Sequence, residues 1–303
     1  MKSKNILIIG VINVISIFGV VILSNSGKLT TNTQTKFGSS SQKLIPIDSI
    51  THGHGLAVDV ENPNNVYIAT HHGLLILVNE KDLYRVGDKT DDYMGFSPHP
   101  TNARVFFSSG HPATGGNIGF QKSEDGGFNW QKISDGIAGP VDFHAMAVSP
   151  VNPDLIFGWY QGAIQQSTDG GKNWAVVGNT NFVTVGLAAD TKDENIVYAS
   201  SPQGMFVSKN KGGSWDRLLD GFVSVVAVNP SNSQKLLSFS EKQRLAKSND
   251  AGKTWEKINE SFSGETPLFI AFDTQKPENL YILTEKNSIY KSIDSGDAWS
   301  KIR

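Results

Sequence analysis

The chain has 303 residues, a net charge of −2, 27 Lys plus Arg against 29 Asp plus Glu, and no cysteine. The absence of thiols excludes disulfides, thiolate metal centres and cysteine nucleophiles. Only five arginines occur (Arg85, Arg104, Arg217, Arg244 and Arg303), so the clustered positive charge that a phosphate backbone requires is missing, which argues against nucleic acid as a partner.

The first element in chain order is an apolar run from Ile6 to Leu23 behind Lys2 and Lys4, interrupted only by Asn13 and Ser16. A run of that length predicts a hydrophobic helix. It is long for the core of a signal peptide and just sufficient to cross a bilayer. Ser24 and Ser26 suit signal cleavage. Residues 1–26 are therefore expected to be a signal peptide or a signal anchor, with the flanking lysines left inside. Either outcome makes the rest extracytoplasmic, secreted or held to the membrane by this segment. Residues 27–43, rich in Ser, Thr, Asn, Gln and Gly, read as a flexible linker.

Internal repetition governs the remainder, residues 44–303. Five segments share the pattern S-x-D-x-G-x-x-W: Ser123–Trp130, Ser167–Trp174, Ser208–Trp215, Ser248–Trp255 and Ser292–Trp299. The third carries Asn210 in place of Asp. Their tryptophans, at 130, 174, 215, 255 and 299, are 44, 41, 40 and 44 residues apart and account for five of the six in the chain. Each is preceded by two apolar runs around a polar turn, and that pair occurs six times, beginning at Leu56, Met94, Met146, Val185, Val225 and Phe269. The first copy lacks the box and has Asn79-Glu80-Lys81-Asp82 in its place.

A four-stranded antiparallel unit repeated every 40 to 50 residues predicts an all-β, six-bladed β-propeller. Strands A and B of each blade are the two apolar runs, strand C enters the box, and strand D starts at the Trp. The box is the C–D hairpin: its Asp accepts backbone N–H groups, its Gly takes a positive φ, and its Trp covers the turn. Trp299–Arg303 is expected to be the last D strand. Lys43–Ile50 is a further strand, and either of these segments could join the two ends of the domain.

The boxes and their spacing resemble the Asp-box (BNR-type) propellers. That group includes sialidases, sortilin-like receptor propellers, photosystem-II assembly factors and exported bacterial proteins carrying a glycosylhydrolase label. The resemblance implies a propeller exported to the cell surface, with a binding or glycosylhydrolase-like function to be judged on its site.

Strand alternation places the A–B turns and the boxes at one end of every blade, and the D–A and B–C connections at the other. His52, His54, His71, His72, His111 and His144 all fall at the second end, in blades 1 to 3. Only His99 falls at the first, and blades 4 to 6 contain no histidine. Asp91, Asp92 and Tyr93 precede strand A of blade 2, Asp142 precedes strand A of blade 3, and Trp159 and Tyr160 close its strand B. The B–C loop of blade 2 (Gly110–Gly116) is longer than its counterparts and suggests a rim over a pocket.

Imidazoles with carboxylates on rigid loops could hold zinc or copper, with His54, His72, His111 and His144 as the candidate set. Met94 and Met146 could add soft ligands, but are better read as core residues. The spacing matches no metal signature such as H-E-x-x-H, and hydrogen-bonded loop histidines are the competing reading. Glycoside hydrolysis would need two carboxyl groups across a cleft. Asp91, Asp92 and Asp142 are the catalytic candidates, and Tyr93, Trp159 and Tyr160 could stack on sugars. Sialidase activity is rejected, because no arginine cluster lies at this end. The favoured reading is a non-enzymatic module binding a glycan, peptide or metal-bearing protein partner through His52, His54, His71, His72, Tyr93, His111, His144, Trp159 and Tyr160.

Overall fold

The computed structural model describes residues 42–258 and 262–303, all within one compact unit, Ser39–Arg303. The N-terminal hydrophobic helix and most of the linker expected from the sequence lie outside the described residues. Among the described residues there are six antiparallel sheets and no helix long and apolar enough to cross a membrane.

Each sheet is one blade. The innermost A strands are Gly53–Val58, Asp92–Pro98, Ala145–Val148, Gly186–Ala189, Val223–Val228 and Pro267–Phe272. They pack side by side, and the last meets the first, so the ring is closed. The B strands, such as Val66–Thr70 and Leu280–Thr284, are buried along their whole length. A blade's middle is covered on both faces by its neighbours, which explains why these strands read as continuous apolar or small residues without alternation. D strands such as Ala175–Asn179 form the more exposed outer rim.

The apolar core is divided among the blade interfaces. Leu56, Val66 and Ile68 of blade 1 pack on Tyr281 and Leu283 of blade 6. Val105, Phe107 and Phe120 of blade 2 pack on Phe143, Met146 and Ile156 of blade 3. Met146 is thereby a core residue, and Met94 is buried as well.

The boxes build their hairpins as their residue types require. In the second, Ser167 Oγ accepts from Gly171 N–H at 2.8 Å and donates to Asp169 Oδ1 at 2.8 Å. Asp169 Oδ1 also accepts from Lys172 N–H and Asn173 N–H, and Trp174 Nε1–H donates to Gly171 O at 3.0 Å. The donors from Asn173 hold the Asp169 carboxyl down at about 2. These carboxylates are fully engaged in turn geometry. The Asn210 copy differs: Asn210 Oδ1 still accepts from Ser214 N–H at 2.9 Å, but the buried Trp215 Nε1 has no partner.

Ring closure is where structure and sequence part. The strand Leu44–Pro46 pairs with Asp82–Val86, strand D of blade 1, as a fifth outer strand. Ser300–Lys301 is strand D of blade 6, pairing with Tyr290 and Lys291. No strand is shared between the two blades. They are joined by side chains instead: Arg303 Nη2–H donates to Asp48 O at 2.6 Å, and Gly53 N–H to Asn287 Oδ1 at 3.0 Å. The turn that replaces the box in blade 1 supplies another link. Lys81 N–H donates to Val78 O across Asn79 and Glu80, both at positive φ, a type I′ hairpin turn. This turn presents Glu80 to blade 6, where it accepts from Tyr281 O–H at 2.6 Å and pairs with Lys291. The Glu80→Ala variant leaves that ammonium unpaired at a mostly buried seam. It should lose about 2–3 kcal/mol, read as a lower urea midpoint with an unchanged m value.

Candidate functional site

The six A strands enclose a central cavity of about 510 Å3, walled mainly by apolar and small residues such as Leu56, Phe96, Leu187 and Val226. His54 and His144 stand at one end of it, and the A–B turn residues His99 and Pro100 line the other. The opening at the His54 and His144 end is where the sequence-derived candidates converge.

Local sequence explains how His54 reaches it. In Thr51-His52-Gly53-His54-Gly55, a β-bulge between Gly53 and Gly55 shifts the register of strand A against strand B. A Cβ on Gly53 would lie 2.3 Å from Leu283 Cδ2, and one on Gly55 2.8 Å from Phe96 Cβ. Only glycines let this strand press against both neighbouring blades while the bulge re-aims the side chain between them. His52, at φ 39°, turns its ring back over the same spot. The rings of His52, His54 and His71 then lie 4.2 to 4.9 Å apart, centroid to centroid.

Two buried carboxylates tie neighbouring blades together here. Asp92, which opens strand A of blade 2, reaches back to His71 of blade 1, with Nδ1 to Oδ2 at 2.6 Å. Asp142 of blade 3 reaches back to His111 of blade 2, with Nε2 to Oδ2 at 3.0 Å, and also holds His144 Nε2 at 2.6 Å. Asp92 Oδ1, Asp142 Oδ1 and His54 Nε2 are buried without a hydrogen-bond partner. Such buried groups are costly unless a ligand atom or an ordered water meets them. Burial brings the His54 imidazole down to about 4, keeping it neutral at physiological pH, whereas the hydrogen bond to Asp142 raises that of His144.

The candidates fall into two groups of possible ligand atoms, each within 4.8 Å: His52, His54 and His71; and His111, Asp142 and His144. The set His54, His72, His111 and His144 expected from the sequence is not brought together as one group. His54 keeps company with His52 and His71, and the exposed His72, its ring 6.4 Å from that of His71, belongs to neither group. Tyr93 is 1 % exposed and stacks on Trp130 at 4.8 Å, so it serves the blade 1–blade 2 interface and cannot reach a bound sugar. Trp159 donates through Nε1 to Thr180 Oγ1 at 2.9 Å, and Tyr160 O–H lies 3.4 Å from Asn117 Nδ2; both are half-buried. Asp91 Oδ1 accepts from Ala113 N–H at 3.0 Å and so orders the long B–C loop of blade 2. The pairing of each carboxylate with a histidine of the preceding blade was missed in the sequence. The positional signal for it was an Asp at or just before strand A following a His at or just after the end of strand B.

Neither protein-family models nor curated protein sequences match the chain. Solved structures do. A GH74 enzyme from Niastella koreensis matches with a TM-score of 0.57 at 18 % identity, over 82 % of this chain and 46 % of its own. YCF48 bound to D1 peptide matches with a TM-score of 0.54 at 13 % identity, over 87 % and 86 %. A chain of a nidogen/laminin complex matches with a TM-score of 0.56 at 14 % identity, over 75 % and 88 %. The chain thus spans about half the length of the GH74 enzyme. At these identities the likeness is one of fold, and the fold is the six-bladed β-propeller.

Proposed function

We propose that this chain is an exported binding propeller that seats a peptide or protein partner at the His/Asp mouth of blades 1–3. One observation carries the reading: five imidazoles and two buried carboxylates from three blades converge on one end of an apolar cavity, with Asp92 Oδ1 and Asp142 Oδ1 unpaired. Unpaired acceptors call for N–H donors, which a peptide backbone or a basic side chain supplies, and the apolar walls beneath suit an apolar side chain. The chain aligned over nearly its whole length with YCF48, whose structure holds a peptide, supports this reading. The apolar run Ile6–Leu23 supports export, whether secreted or anchored.

A glycan-hydrolysing alternative draws on the GH74 likeness and on Asp92 with Asp142, but the stacking platform expected at Tyr93 is buried. Panning a random peptide display library on the full chain tests both. Enriched peptides should lose affinity roughly tenfold or more, about 1.4 kcal/mol, on the His54→Ala/His144→Ala variant. Release of sugar from a glycan panel that includes xyloglucan, above a protein-free blank, would overturn the binding reading in favour of hydrolysis.

A further inference from the structure

The polar groups at the mouth crowd together and leave His54 Nε2, Asp92 Oδ1 and Asp142 Oδ1 unpaired. His111 Nδ1 lies 2.7 Å from Gly116 O, and a carbonyl oxygen only accepts, so the ring carries its proton on Nδ1. Its Nε2 points at Asp142 Oδ2 at 3.0 Å. That contact takes either a second ring proton or a metal ion bound by both atoms. The same Oδ2 is claimed by His144 Nε2 at 2.6 Å, while Oδ1 of this carboxylate, whose side chain is 8 % exposed, has no partner.

The neighbouring group shows the complementary arrangement. Asp92 Oδ2 fixes the His71 proton on Nδ1, which leaves the Nε2 lone pair to bind a metal. His54 Nε2 is buried and unpaired, and His52 stacks on His71 at a centroid separation of 4.7 Å. No carboxylate lies among these three donors; it stands behind one of them. A carboxylate or carbonyl behind a ligating imidazole is the usual way in which a metal-binding histidine is oriented.

We propose that the mouth holds two adjacent divalent ions of the zinc class, one on His52, His54 and His71 and the other on His111, Asp142 and His144. Imidazole nitrogen with at most one carboxylate excludes the oxygen-seeking calcium and magnesium and suits zinc. Tetrahedral zinc places donors roughly 3.4 Å apart, from bonds of about 2.0–2.2 Å. The donors here, within 4.8 Å, need only small side-chain rotations to close on an ion. Three protein ligands leave a fourth position open in each site, facing the seat proposed for the partner. The inference rests on that mouth being the working surface.

Metal binding is read on the untagged full chain by zinc titration calorimetry and elemental analysis, without any partner. The wild type should take up two zinc ions per chain. Asp142→Asn should remove one, His54→Ala the other, and the double variant both, while His99→Ala at the opposite end should keep two. Cobalt should give the intense visible bands of a low-coordinate ion in the wild type and half that intensity in each single variant. Unfolding temperatures of the metal-free variants near that of the metal-free wild type establish that they fold. Fewer than two ions on the wild type, or variants that retain both, overturn the inference. A chain that captures peptides without zinc refutes only this inference. One that binds two zinc ions but no peptide refutes only the proposed function.

Discussion

Replacing Trp174 with Ala should lower the free energy of unfolding by about 3–4 kcal/mol, near the lower end of the range for a large aromatic because the ring is only partly buried. The indole packs against Phe120 at 5.2 Å and Phe143 at 4.9 Å, and so it fastens the blade 3 hairpin to the blade 2–blade 3 interface. Its Nε1–H donates to both Ser134 Oγ and Gly171 O. Truncation opens a cavity and removes one donor from each of these acceptors, although Ser134 Oγ still donates to Gly171 O. Differential scanning calorimetry should show a fall in Tm of roughly 10 °C for a domain of this size. Because the hairpin lies at the end of the blade away from the histidine mouth, zinc stoichiometry should not change.

The second large effect is expected in the same hairpin, at Gly171. Its φ is +86°, and a Cβ built there would lie 1.9 Å from Phe120 Cε1. Gly171→Ala therefore combines a left-handed backbone penalty of about 1 kcal/mol with overpacking of about 1–3 kcal/mol. The ring of Phe120 is completely buried and has nowhere to go. Gly126, at φ +82° in the preceding box, has nothing within 4 Å of its virtual Cβ and provides the control. Gly126→Ala should show the backbone penalty alone. Chemical denaturation of both variants separates the two contributions, and equal losses would mean that the blade interface yields.

The two sites differ in how plainly the sequence announces them. The boxes are visible because a hairpin is local: Ser, Asp, Gly and Trp interact within seven residues, so their spacing is written along the chain. The histidine mouth is visible only in outline. Alternation of strand direction is enough to send His52, His54, His71, His111 and His144 to the same end of their blades, and they are found there. Which of them meet depends on blade-to-blade geometry, set by the Gly53–Gly55 bulge and a second register shift between Met94 and Ser97. The Gly53–Gly55 shift flanks His54, which meets His52 and His71, while the exposed His72 stays outside both groups. Tyr93 shows the same limit: it sits beside Asp92 in sequence, but successive strand residues face opposite ways, and its ring turns to Trp130.

By itself, the sequence determined the repeat, the blade count, the strand order and the end of the ring where the imidazoles collect, because each follows from contacts between residues close along the chain. Only the tertiary structure decided how the ring closes, through Glu80 and Arg303 without a shared strand, and how Asp92 and Asp142 bind histidines of the preceding blade. These are contacts between surfaces brought together by blade packing, and no spacing along the chain encodes the angle at which two blades meet.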